Sequence, residues 1–209
     1  MEAKKESTPM VLFTFLVMTI QSFAAGIRPP IGQGSSVDFV QFLNTSEIIW
    51  TSNSTFDSTD IRRPCKMDVK SNITGERIQF SRYAMDTAKT WKGRKDLVGM
   101  FGVWNRQNGT KKERDMMDIS IRRGRWQSRE IMEYVNKKMT CAVFSVLGRD
   151  KLRFSLDLRV KNSSISKGPD EDCLRYFKNH AQQGQKAKRV YWPQCQKKLR
   201  NHHNDYLSR

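Results

Sequence analysis

Histidine is scarce in this chain, and its placement is as informative as its number. The three, His180, His202 and His203, all fall near the C-terminal end. Neither a Gly-x-Ser-x-Gly elbow nor a His-Glu-x-x-His helix occurs, so two familiar routes to hydrolytic chemistry have no residues to run on. His202, His203 and Asp205 sit in a basic tail and read as solvated residues, and no CxxC spacing offers zinc a ligand set. No metal and no cofactor is therefore expected. Beyond Ile20 no apolar run is long enough to anchor the chain in a bilayer. Internal repeats, low-complexity segments and nucleic-acid reader motifs are also missing. Acids are the last shortage: 21 Asp and Glu face 38 Lys and Arg, a formal charge of +17. That imbalance speaks of anionic partners, a heparin-like polyanion among them, and says nothing about fold. It concentrates in RRGRWQSR, Arg122 to Arg129, and in the chain after Arg175.

The features present begin with MVLFTFLVMTI, Met10 to Ile20, preceded by Lys4 and Lys5 and followed by the small residues of SFAAG. Such a run is too short for a comfortable span and fits a cleaved secretory signal over residues 1–25. Five N-glycosylation acceptors, Asn44, Asn53, Asn72, Asn108 and Asn162, agree with export. Four cysteines in an oxidising compartment mean two disulfides with three conceivable pairings. A secreted, monomeric protein is expected, with a flexible segment at 26–36, one domain over 37–196 and a basic tail over 197–209.

Within the domain, Ser36 can cap a short helix over VDFVQFLN, with Val40 and Leu43 on one face. Then come about eight short strand-like segments separated by polar turns: EIIWTSN, IRRPCKMDVK, ERIQFSRYAM, KDLVGMFGVW, RDMMDISI, EIMEYV, MTCAVFSVL and LRFSLDLRV. This rhythm predicts an all-β sandwich or up-and-down barrel. The last segment alternates cleanly, with Leu152, Phe154, Leu156, Leu158 and Val160 opposite Arg153, Ser155, Asp157 and Arg159. Pro169 ends that strand region, and Asp170, Glu171 and Asp172 suit a helix N-terminus. CLRYFKNHA then offers Leu174, Phe177 and Ala181 as an apolar stripe to lay on the outside of the sheet. Cys173, in its first turn, would bridge most readily to Cys141, leaving Cys65 for Cys195. A barrel with a helix on its wall is a calycin arrangement, wide enough inside for a small ligand.

Five blocks carry a family resemblance: VDFVQFLNTSEIIW, CKMDVKSNITGERIQF, TCAVFSV, DLRVKNSSISKGPDEDCLRYF and VYWPQC. In order, they resemble the tick salivary lipocalins, the histamine-binding-protein family, over residues 37 to 196. The resemblance implies an eight-stranded antiparallel lipocalin barrel with a short N-terminal helix, a C-terminal helix, and disulfides Cys65–Cys195 and Cys141–Cys173. It implies a non-enzymatic scavenger of a host mediator: histamine or another biogenic amine, or, in other members, a fatty-acid mediator such as a leukotriene or thromboxane. The lipocalin Gly-x-Trp signature is missing, with Trp50 near its place.

An amine site needs inward carboxylates and aromatic faces. Asp157 is the first candidate, but Arg159 stands where amine-binding relatives carry an aromatic. The pair shares a face; inward, the two would neutralise each other and turn the cavity toward carboxylates, and outward they would be surface residues. Asp118 is the second candidate, although Met117, Ile119 and Ile121 read as the interior face and turn it outward. Asp68 is the third. Trp50, Phe80, Phe101, Trp104 and Phe144 are candidate wall aromatics.

Overall fold

The computed structural model describes residues 38–56, 65–85, 91–104, 114–149, 154–181 and 185–199. The expected signal segment, the whole 26–36 segment, Asn108 and the tail from residue 200 lie outside the described residues. Eight strands follow one another as an antiparallel meander: β1 (Ile49–Phe56), β2 (Met67–Ile73), β3 (Arg77–Met85), β4 (Trp91–Gly102), β5 (Met116–Ile121), β6 (Trp126–Val135), β7 (Cys141–Gly148) and β8 (Ser155–Lys161). β1 pairs with β8 on one edge and with β2 on the other, at Trp50↔Met67, so the meander closes into an eight-stranded barrel. Closure pairs every strand on both sides and removes the exposed edges that an open sheet would carry.

A short helix, α1 (Phe39–Leu43), plugs one end. Asp38, not Ser36, is its N-cap, its carboxylate accepting the Val40 N–H at 2.7 Å. The buried face is Phe39, Phe42 and Leu43, with Val40 only half-buried. Phe39 and Phe42 rest on Phe144, with ring centroids 5.4 and 5.8 Å away.

β8 leads through α2 (Asn162–Ile165) to α3 (Glu171–His180), which lies on the outer wall against β6, β7 and β8. α3 buries Cys173, Tyr176 and Phe177, so Tyr176 takes the place expected for Ala181, which caps the C-terminus. Two devices fix its start. Asp170 accepts hydrogen bonds from Asn136 Nδ2 at 2.6 Å and Thr140 Oγ1 at 2.8 Å, and Cys173 is bonded to Cys141. The second disulfide, Cys65–Cys195, ties residues 193–199, a helical segment, to the start of β2. Closing loops of 32 and 130 residues stabilises the fold by about 4 and about 5 kcal/mol respectively through lost unfolded-state entropy. Leu199, in that helical segment, packs against the outer core. A ninth strand, β9 (Lys186–Arg189), absent from the sequence reading, pairs with the upper half of β1 at Asn53↔Arg189. The RRGRWQSR stretch is a turn only to Arg125; Trp126 to Arg129 belong to β6.

The described residues form two cores. The outer one gathers Leu156, Leu158 and Val160 of β8 with Val143, Tyr176 and Phe177. The inner one fills the plugged end of the barrel with Phe39, Phe42, Ile78, Phe80, Met117, Met132 and Phe144. Gly99 belongs to this inner surface: a Cβ there would collide with Met117 Sδ, so the methionine occupies space that only glycine leaves open.

Candidate functional site

Residues opposite each other in an antiparallel ladder share a face. Phe144 is opposite Asp157 and Ala142 is opposite Arg159, so the Asp157–Arg159 face of β8 points into the barrel. By the same logic Asp68↔Arg82 is an inner pair between β2 and β3. The apolar alternation of β8 is thus the outer face, covered by α3, and its charged alternation is the inner one.

Six charged side chains meet there, three of each sign. Arg159 Nη1 donates to Glu130 Oε2 at 2.6 Å, and its Nη2 donates to Asp157 Oδ2 at 3.1 Å. Lys66 Nζ reaches the same Asp157 oxygen at 2.6 Å, while Ser54 Oγ donates to Oδ1 at 2.7 Å. Arg82 grips Asp68 through Nε and Nη2 at 2.7 and 2.8 Å and reaches Glu130 Oε1 at 3.0 Å. The Phe144 ring lies under the Arg159 guanidinium at 4.4 Å, dividing the charged layer from the aromatic plug below.

Desolvation alone would raise both buried carboxylates. At Glu130 it is outweighed by the Arg159 and Arg82 guanidiniums, which hold the group at about 2. At Asp157 it is outweighed by Lys66 and Arg159, which hold the carboxyl well below the usual range. Burial pulls the Lys66 ammonium below the ordinary lysine value, and Asp157 offsets only part of that. Glu130 and Asp157 are thus held ionised at neutral pH, each engaged by two basic side chains. One donor is left over: Arg159 Nε is buried without a hydrogen-bond partner.

Solvent does not reach the six equally. The side chains of Glu130, Arg159 and Asp157 are 0, 2 and 3% exposed, whereas Lys66, Arg82 and Asp68 are 21, 15 and 14% exposed. The accessible layer, facing the end opposite α1, holds two cations and one anion.

The predicted site residues divide accordingly. Asp157, Arg159, Asp68, Phe80 and Phe144 line the barrel interior, and Phe101 joins them near the plug, 6.0 Å from Phe39. Asp118 does not: it is on the outer face of β5, held by Arg129 Nε and Nη2 at 2.9 and 2.8 Å. Trp50 is likewise on the outer wall, stacked edge-on against Tyr191, with its Nε1 donating to Asn162 Oδ1 at 2.9 Å. Trp104 is exposed on the outside beside Arg129. Lys66, Arg82 and Glu130, half of the network, were missed. Arg82 and Glu130 each share a strand face with an apolar neighbour two residues away, Phe80 and Met132, a pattern that surface residues also show. Of the sequons, Asn44, Asn72 and Asn162 are exposed and Asn53 is half-buried within β1. Cys141, Asp172 and Cys173 lie close together, but both sulfurs are spent in the disulfide.

No protein-family model matches the chain, and no curated protein matches it in sequence. Solved structures do resemble it. Japanin from Rhipicephalus appendiculatus, bound to cholesterol, aligns over 70% of this chain and 93% of its own, at 12% identity and TM-score 0.47. Apocrustacyanin C2 aligns over 70% and 76%, at 8% identity and TM-score 0.47. The cockroach allergen Per a 4 aligns over 78% and 94%, at 15% identity and TM-score 0.46. A closed eight-stranded meander, plugged by α1 and flanked by α3, has its own signature in the topology. The fold is that of a lipocalin. The ion network lies inside this barrel, separated from the α1 plug by Phe144. No helix among the described residues is long and apolar enough to cross a membrane.

Proposed function

We propose that this protein is a secreted lipocalin that binds, without catalysis, a small amphiphile bearing an anionic head group, of the fatty-acid-mediator class. The observation that carries the reading is the unequal exposure of the network. A molecule entering the open end meets the Lys66 ammonium and the Arg82 guanidinium first, with the unpartnered Arg159 Nε behind them. A carboxylate beside them would gain charge-assisted hydrogen bonds in a site screened from water.

A biogenic amine fits less well. Both Asp157 oxygens are occupied, one by Ser54 and the other by Lys66 and Arg159, so histamine would have to displace an internal cation. The sequence resemblance to tick histamine-binding proteins supports a host-mediator scavenger of this general kind, and Arg159 marks the change of ligand charge.

Calorimetric titration with two ligands of equal chain length and opposite charge, dodecanoate and dodecylammonium, separates the readings. Dodecanoate is expected to bind, at least about tenfold more weakly in Lys66→Gln, while dodecylammonium is expected to bind weakly or not at all. Preferential binding of dodecylammonium or of histamine would overturn the proposal.

A further inference from the structure

The open end carries a second concentration of charge that the ion network does not use. The β5–β6 turn presents Arg122, Arg123 and Arg125, all exposed, and β4 presents Arg94 and Lys95 beside them. Between them is a cleft of about 650 Å³ lined by Arg94, Lys95, Asp96, Ile121, Arg122 and Arg123. Its single acid, Asp96, is already engaged by Arg94 at 2.6 Å and by the Ser81 hydroxyl at 2.8 Å. No salt bridge reaches Arg122, Arg123 or Arg125 among the described residues. The backbone that holds them is nevertheless well fixed. Arg122 N–H donates to the Asp96 carbonyl at 3.1 Å, Gly124 N–H to Ile121 at 2.8 Å, and Ile121 N–H to Arg125 at 3.1 Å. Arg123 takes a left-handed φ of 61°, the conformation that lets the turn close so tightly.

A rigid turn that holds several unneutralised guanidiniums around a cleft is poised for a partner with closely spaced anions, since each guanidinium can take a sulfate or carboxylate in a two-point grip. We infer that this rim binds a sulfated polysaccharide chain of the heparin type. The exposed Ile121 gives the cleft an apolar floor against which the face of a sugar ring can lie. Binding to an anionic membrane is the competing reading, and the experiment below separates the two.

The same molecule supplies a control. Lys186, Lys188 and Arg189 of β9 form a comparable basic cluster beside β1, across the barrel from β4 and β5. Binding of a heparin decasaccharide at physiological salt would be compared between the triple variant Arg122→Ser/Arg123→Ser/Arg125→Ser and the charge-matched Lys186→Ser/Lys188→Ser/Arg189→Ser. The turn variant is expected to lose at least about tenfold in affinity and the β9 variant less than about threefold. Near-UV circular dichroism checks the fold. Arg123→Ser and Arg125→Ser singly, both at exposed positions, provide the same reading should the triple variant misfold, with about a threefold loss each. Equal losses in the two triple variants would overturn the site, since only net charge would then matter. So would unchanged heparin affinity together with turn-dependent binding to phosphatidylserine vesicles, which would assign the rim to a membrane.

Discussion

On its outer face β8 buries Leu156, Leu158 and Val160 beneath α3, and on its inner face, two residues apart, it buries Asp157 and Arg159 among four other charges. Both faces exclude water, yet they contribute differently. The outer face is held by apolar burial and dispersion, which tolerate modest reshaping. The inner face is held by mutual neutralisation, in which each ion is affordable only while its partners remain. Removing an outer residue leaves a cavity; removing an inner one leaves an uncompensated charge.

This contrast sets the order of expected effects. Arg159→Met strips Glu130 and Asp157 of their shared guanidinium and should cost about 3–5 kcal/mol in urea unfolding. A far smaller cost for Arg159→Met than for the outer substitution would erase the distinction between the faces. Leu158→Ala should cost about 2–5 kcal/mol, toward the lower part of that range where α3 can settle inward. Asp118→Asn sharpens the comparison from outside the barrel. Asp118 is gripped by Arg129 through two hydrogen bonds of 2.9 and 2.8 Å, but both side chains are about one-third exposed. Its loss should cost less than about 1 kcal/mol, because solvent already screens the pair.

The same contrast explains what could be read from the sequence. The eight strand segments and the outer helix were legible because alternation and turn chemistry are local signals. The two disulfides were legible as well, through a family likeness and through the strand and helix that flank Cys141 and Cys173. Which face of β8 turned inward was not legible. Leucines at alternate positions describe a buried face without saying what buries it, and here α3 does so from outside. Glu130 lies 29 residues from Arg159 and 48 from Arg82, so nothing in its surroundings along the chain marks it as their partner. β9 was invisible for another reason: Lys-Ala-Lys-Arg has no apolar alternation, and its place depends on pairing with β1. The stripe on α3 was misjudged because Tyr176 packs flat on Tyr134, at 4.9 Å and 16°, a contact between elements far apart in sequence.

Carboxyl-resolved NMR titration of Glu130 tests the inner face most directly. Its ordinary value is 4.5, and in the barrel the arginines overcome burial to hold it at about 2. A carboxylate lowered in this way stabilises the fold fully above its unfolded value, and that stabilisation is lost as pH falls from about 4.5 toward 2. The account predicts a Glu130 signal titrating at about 2, in step with the acid loss of stability, and a shallower loss in Glu130→Gln. A Glu130 carboxyl titrating at or above 4.5 would mean that burial prevails over pairing. The barrel would then hold a neutral acid in place of an ionised network, and the case for an anion-binding mouth would fall with it.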